Sequence, residues 1–324
     1  MIMLFLFTEE GCPNGKGPVL KTGVGVSCLG SNPSPSASFL IFILQKILTG
    51  RAALKKNEEK RKPIGLLDSG LGGLSVYREI KKQLPQEHVI YFGDTAHAPY
   101  GEKTNEQILD YVFSIIDFLL KEDVKMVIIA CNTMTAVALD EVKMKYSIPV
   151  IGVIQPGALE AVCKTKNRRI GIIGTEVTIR NKSYEKLIKE IDPSIITFAN
   201  PCSNQIIREM EEKALKNERK IQILLRECLE PIKKNDVDTL IWGCTHYPFL
   251  QRYIEQEIDS DIVLIDPSVA TIRQLKDWLE QHYLINVTHD KQDSFYISGD
   301  PDLFAEIAAK LLGGYPGTFD KAIL

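Results

Sequence analysis

No Cys-x-x-Cys pair occurs in this 324-residue chain, although it holds seven cysteines, at positions 12, 28, 131, 163, 202, 228 and 244. Zinc ribbons and thioredoxin-type redox pairs are therefore unsupported, and no metal site is expected. An odd cysteine count without framework spacing points to free thiols in a reducing, cytoplasmic setting. An excess of one charge is also missing: 39 Lys+Arg stand against 42 Asp+Glu, a formal net charge of −3. Nucleic acid is not the expected partner, because phosphate contacts need clustered cations. Long apolar runs are absent too. "MIMLFLF" (1–7) and "FLIFIL" (39–44) fall well short of the ~20 residues of a spanning helix, so no membrane partner is expected. The first run is followed by Glu9 and Glu10 rather than preceded by basic residues, which argues against a secretory signal. A dinucleotide loop lacks its last glycine. Gly70 and Gly72 are present in "DSGLGG", but Ser75 stands where the third should be, so the loop reads as backbone N–H groups for a carboxylate.

With 44% hydrophobic and 25% charged residues, the chain has the composition of a globular protein of about two domains. Residues 1–62 read as a flexible leader outside the fold, with a Ser/Pro stretch "GSNPSPSAS" (30–38) and a solvated charge run "RAALKKNEEKRK" (51–62). From Pro63 apolar strands alternate with amphipathic helices. Strands are expected at 63–68, 88–94, 124–130, 148–154, 168–175, 194–199, 237–243, 261–266 and 294–300. Helices are expected at 74–84, 105–122, 134–146, 177–191, 204–215, 218–234, 268–284 and 301–312. This order predicts an α/β fold of two pseudo-symmetric, doubly wound domains with mainly parallel sheets. Gln155-Pro156-Gly157 is expected to break the chain as a hinge, giving one domain of 63–155 plus 268–315 and a second of 156–267.

In open parallel sheets, ligands sit beyond the carboxyl ends of the strands. Just past those ends lie Asp68-Ser69-Gly70, Asp94-Thr95, Cys131-Asn132-Thr133, Thr175 and Cys244-Thr245-His246. A lone cysteine after a strand is as well explained by an inert core thiol, and Cys163, Cys202 and Cys228 keep that reading. Cys131 and Cys244 sit at matching places in the two halves, each followed by polar groups. Two facing thiols suit inversion at a carbon stereocentre, one thiolate removing a proton while the other thiol delivers one to the opposite face. Asp68 and His246 could manage thiol protonation. A turn carboxylate and a satisfied loop histidine are their plainer readings.

The segments "DSGLGGLSVYREI", "YFGDTAHAPYGEKT", "ACNTMTAVAL", "PVIGVIQPGA" and "GCTHYPFL" together resemble bacterial glutamate racemases, from about Pro63 to the last helix. The resemblance implies a cofactor-independent isomerase in the cytoplasm that interconverts L- and D-glutamate and supplies D-glutamate for peptidoglycan. It implies that Cys131 takes the α-proton from D-glutamate and Cys244 from L-glutamate, assisted by Asp68 and His246. Glu209 is the counterpart expected for a further glutamate near the second cysteine, with Glu211 the alternative. Ser69, Pro99, Tyr100, Gly101, Asn132, Thr133, Thr175 and Thr245 match positions that hold the substrate. Family members pair in different ways, and a homodimer is the expected assembly. An aspartate racemase and a non-catalytic regulatory binding protein are the competing readings. A thiol on each side of the cleft argues against the latter, since binding alone needs none.

Overall fold

The computed structural model describes residues 57–211, 217–288 and 291–323, together with the backbone of 19–22 and 25–28. Contacts divide the chain into residues 1–58 and 59–324. In the first unit, β1 (Val19–Thr22) pairs antiparallel with β2 (Gly25–Cys28). The remainder of the expected leader before residue 57, both apolar runs included, lies outside the described residues.

The second unit holds two parallel sheets. In the first, β3 (Ile64–Asp68), β4 (Val89–Gly93), β5 (Met126–Ile129) and β6 (Val150–Gly152) lie in the order β6-β5-β3-β4. In the other, β7 (Arg169–Gly174), β8 (Ile196–Pro201), β9 (Thr239–Gly243) and β10 (Val263–Ile265) lie in the order β10-β9-β7-β8. The two orders are the same permutation of four successive strands, so the halves are alike in topology as the sequence reading expected. Beyond β4 the first sheet is extended by β11 (Asp293–Ile297) and then β12 (Gly317–Lys321), also parallel.

Strands β3, β4, β5 and β9 are buried along their whole length, which is why they read as unbroken apolar runs rather than alternating ones. Successive residues still point to opposite faces. Leu66, Tyr91 and Ile128 pack on one face of the first sheet with Ile80, Ile272, Leu275 and Phe295. Leu67, Phe92 and Ile129 pack on the other face with Ile108, Ile115 and Val142. The covering helices of this half include α1 (Leu74–Gln83), α2 (Asn105–Lys121) and α3 (Asn132–Lys145). Thr104 starts α2 with a reciprocal capping box to Gln107, which satisfies two orphan donors of the first turn. The chain continues through α4 (Ile154–Lys164), α5 (Glu176–Asn181), α6 (Ser183–Ile191), α7 (Gln205–Glu211) and α8 (Glu218–Lys233). It ends with α9 (Gln251–Glu255), α10 (Pro267–Gln281) and α11 (Pro301–Leu312).

Five local expectations are corrected. Gln155-Pro156-Gly157 does not break the chain but lies in the first turn of α4. A first-turn residue has no intrahelical acceptor for its N–H, so proline costs little there. The helix expected over 177–191 is two helices, divided by Lys182 in the left-handed region at φ 55°. Helix α3 begins at Asn132, with Cys131 as its N-cap, so no loop intervenes between the thiol and the helix. Strand β12 was not foreseen. Its sequence, GTFDK, is only partly buried at the sheet edge and carries no apolar run to announce it. Finally, Cys202 and Cys228 are joined in a disulfide, with Cα atoms 5.0 Å apart, where free thiols were expected. They are far apart in sequence, and the packing of α8 on the second sheet brings them together.

Candidate active site

Within each four-strand set the chain reverses its direction of winding at the centre, between β3 and β5 and between β7 and β9. A crevice opens beyond the carboxyl ends at such a switch point. Asp68-Ser69 and Cys131 follow the strands flanking the first, and Thr175 and Cys244 those flanking the second. A single narrow cavity is lined from both sides by Ser69, Pro99, Tyr100, Gly101, Cys131, Asn132, Thr133, Thr175, Cys244, Thr245 and His246, with Ile207 and Gly243 completing the wall. The halves also bond directly here. Thr245 donates to Asp68 Oδ2 at 3.2 Å, and the Thr133 and Thr175 hydroxyls are 2.8 Å apart.

Cys131 is buried, and Ser69 Oγ donates to its Sγ at 3.5 Å. Burial, together with the nearby Asp68 charge, pushes the thiol up to about 12, although the Met134 amide and Ser69 hydroxyl pull the other way. It is therefore a proton donor at neutral pH. Asp68 is fully buried and accepts from Gly70 N at 2.9 Å. Burial raises its carboxyl to about 6, with His246 and the Gly70 amide opposing. That value places it within reach of proton exchange near neutrality.

The second thiol has different company. Cys244 Sγ is 3.6 Å from His246 Nδ1, and His246 Nε2 is 2.8 Å from Glu211 Oε1. Burial alone would lower this imidazole, but the sulfur and the Glu211 carboxylate outweigh it and hold the ring well above its ordinary value. The result is an imidazolium held between the Cys244 sulfur and the Glu211 carboxylate. Glu211 is fixed in turn by the Leu71 N–H, 2.7 Å from the same Oε1. The loop of Gly72 presses against this group: a Cβ there would lie 2.2 Å from Thr245 Oγ1 and 2.7 Å from His246 Nδ1.

The structure does not bring Glu209 into this cluster. Its carboxylate pairs with Lys220 at 2.8 Å, and Glu211 holds the place beside His246. On the short helix α7, two residues turn the side chain about 200° around the axis, so only one of the two glutamates can face the cleft. Residues 212–215, the rest of the expected 204–215 helix, lie outside the described residues.

Several positioning groups were not foreseen from the sequence. Thr178 joins the Thr133–Thr175 pair, at 3.3 and 3.0 Å. Tyr184 donates to Asn132 Oδ1 at 2.7 Å. Tyr100 and the buried Asp94, both expected from the sequence, are hydrogen-bonded to each other, and the unforeseen Ser298 and His97 Nδ1 join the carboxylate at 2.5 and 2.9 Å. Thr178 carried a faint signal, since "TEVT" places a second hydroxyl three residues after an N-cap. Ile207 and Gly243 carried none. No group of three or more His, Cys, Asp or Glu suited to a metal ion occurs among the described residues, and none of the described helices is long and apolar enough to cross a membrane.

Residues 64–275 match the Asp/Glu/Hydantoin racemase family. The chain belongs to this family. It is an amino-acid racemase, an isomerase. The glutamate racemase of Enterococcus faecalis is 43% identical over 253 residues, covering 77% of this chain and 92% of that one. Among solved structures, the racemase isoform RacE1 from Bacillus anthracis superposes with a TM-score of 0.78 at 36% identity, over 82% of this chain and 98% of its own. The Francisella tularensis glutamate racemase, solved in complex with D-glutamate, gives 0.74 at 32% identity over the same shares. The racemase fold of these neighbours has the mixed α/β, two-domain form described above.

Proposed function

We propose that this racemase interconverts L- and D-glutamate by proton transfer at the α-carbon between two cysteines, and that it does so without a cofactor. The observation that carries the proposal is one cavity walled by Cys131 and Cys244 from equivalent points of two sheets. A substrate α-carbon between them has a thiol on each face. Cys244, beside the His246 imidazolium, serves as the base that removes the α-proton of L-glutamate, and Cys131 protonates the opposite face. The reverse reaction begins on D-glutamate with Cys131 as base, its proton managed by Asp68. The substrate carboxylate is bound by Ser69, Asn132, Thr133, Thr175 and Thr245 and by backbone N–H groups at the start of α3. Pro99, Tyr100 and Gly101 close the pocket wall. Glutamate is favoured as substrate by the relatives named above. The role proposed in the cell is supply of D-glutamate for peptidoglycan, in the cytoplasm, by a homodimer.

Replacement of either thiol tests the proposal. Cys131→Ala and Cys244→Ala should each abolish racemisation in both directions while glutamate still binds. Near-full turnover in either variant would overturn the two-base assignment. L-aspartate assayed beside L-glutamate reports substrate choice.

A further inference from the structure

We infer that Tyr184 is a positioning residue for substrate, setting the orientation of the Asn132 side-chain amide so that its N–H groups, not its oxygen, face the cleft. The inference rests on the reading of Asn132 as a substrate contact and goes beyond it. Tyr184 comes from α6 of the second half, and Asn132 is the first residue of α3 in the first half. Both are buried, at 1% and 2% exposure. The tyrosine hydroxyl donates to Asn132 Oδ1 at 2.7 Å. An amide has one oxygen and one nitrogen end, so committing the oxygen to Tyr184 leaves both N–H donors on the other side. Asn132 lines the cavity, as does Gly243. The Tyr184 ring fills the space behind Gly243, where a Cβ would lie 3.5 Å from it and 2.7 Å from Ile173 O. Rotation of the amide by half a turn would take the acceptor from the buried hydroxyl and turn an oxygen toward an anionic ligand, so two costs oppose it. The ligand group recognised by this arrangement is a carboxylate.

The contact is made in the ground state and in the transition state alike, so its loss belongs in KM rather than kcat. In Tyr184→Phe the amide loses its anchor, and KM for glutamate should rise about tenfold, one hydrogen bond to a charged group, with kcat within about threefold of the parent. The Tyr184→Phe/Asn132→Ala double variant should be no worse than Asn132→Ala alone, because the tyrosine acts through the asparagine. A double variant worse by the full Tyr184→Phe factor shows a packing role and overturns the inference. Asn132→Asp supplies a test that leaves Tyr184 in place. Its Oδ1 still accepts from the hydroxyl while a second, charged oxygen faces the substrate, so glutamate affinity measured by calorimetry should fall below that of Asn132→Ala. Equal affinities would contradict the proposed orientation. If Asn132→Ala leaves KM unchanged, the failure lies with Asn132 as a substrate contact. If it raises KM while Tyr184→Phe does not, the failure is that of Tyr184 alone.

Discussion

Glu211→Gln is the most informative single change, because it removes one charge from the Cys244 side and leaves its shape. Glu211 Oε1 meets His246 Nε2 at 2.8 Å and Leu71 N at 2.7 Å. The glutamine oxygen still accepts from Leu71, but the imidazolium loses its counter-charge. A hydrogen bond to a charged group contributes roughly 1.5–3 kcal/mol. At 1.36 kcal/mol per decade that is roughly 10- to 150-fold in rate. The change removes the charge that holds His246 protonated beside Cys244, the proposed base for L-glutamate. Enantiomers have equal energy, so kcat/KM must fall by the same factor in both directions, whichever thiol is affected. Circular dichroism of the reaction mixture, followed from each enantiomer across pH 6–9, gives both values. Glu209→Gln is the control, since its carboxylate pairs with Lys220 rather than His246, and it should change kcat/KM by less than about threefold. Unchanged rates and an unchanged pH profile in Glu211→Gln would refute the role assigned to this charge. A large loss in Glu209→Gln alone would refute the choice between the two glutamates.

Asp68→Asn should trade activity for stability. The folded carboxyl sits at about 6 against an ordinary 3.8, so its ionised form is disfavoured in the folded state above pH 6, and that penalty fades as pH falls toward 4. The asparagine variant should therefore be the more stable by up to about 3 kcal/mol at pH 8, at 1.36 kcal/mol per pKa unit. Urea unfolding should show that advantage vanish near pH 4, and equal stability at pH 8 would contradict the assignment. Gly72→Ala drives a Cβ into Thr245 and His246, so turnover should fall at least tenfold while the melting temperature moves by only a few degrees. Loss of stability without loss of turnover would place the strain elsewhere. At the opposite ends of the strands, Lys125 Nζ lies 2.5 Å from Glu87 Oε2, both side chains 1% exposed, and also donates to Lys60 O and Leu284 O. Lys125→Met strands the Glu87 carboxylate and should cost about 3–5 kcal/mol, with most of it recovered in Lys125→Met/Glu87→Gln. A single variant as stable as the parent would show that the pair carries no such charge burden.

The parts of the fold that were legible in the sequence are those set by long-run periodicity and burial. Strands such as "IGLL", "VIYFG" and "LIWG" are apolar throughout because helices cover both faces, and the polar residues that follow them mark the carboxyl ends where the cleft lies. That is why Ser69, Asn132, Thr133, Thr175 and Thr245 could be placed beside the two thiols from position alone. What was not legible depended on side-chain direction or on contacts between distant segments. Glu209 and Glu211 differ only in which way a short helix turns them. Pro156 and Gly157 are punctuation in a loop but are accommodated in a helix's first turn. The Cys202–Cys228 bond and the Tyr184–Asn132 hydrogen bond join residues 26 and 52 apart in sequence, and no local pattern announces either.

The central claim, that Cys131 and Cys244 are two bases of one site, is tested most directly by exchange at the α-carbon. L-glutamate is incubated with purified protein in D₂O without pyridoxal phosphate, and optical rotation and α-deuterium are followed together for the parent, Cys131→Ser and Cys244→Ser. The account predicts that the parent inverts glutamate with deuterium entering the α-position of the product, and that neither serine variant inverts it. Inversion at near-parental rate by either variant, or no exchange at all from the folded parent, would contradict it.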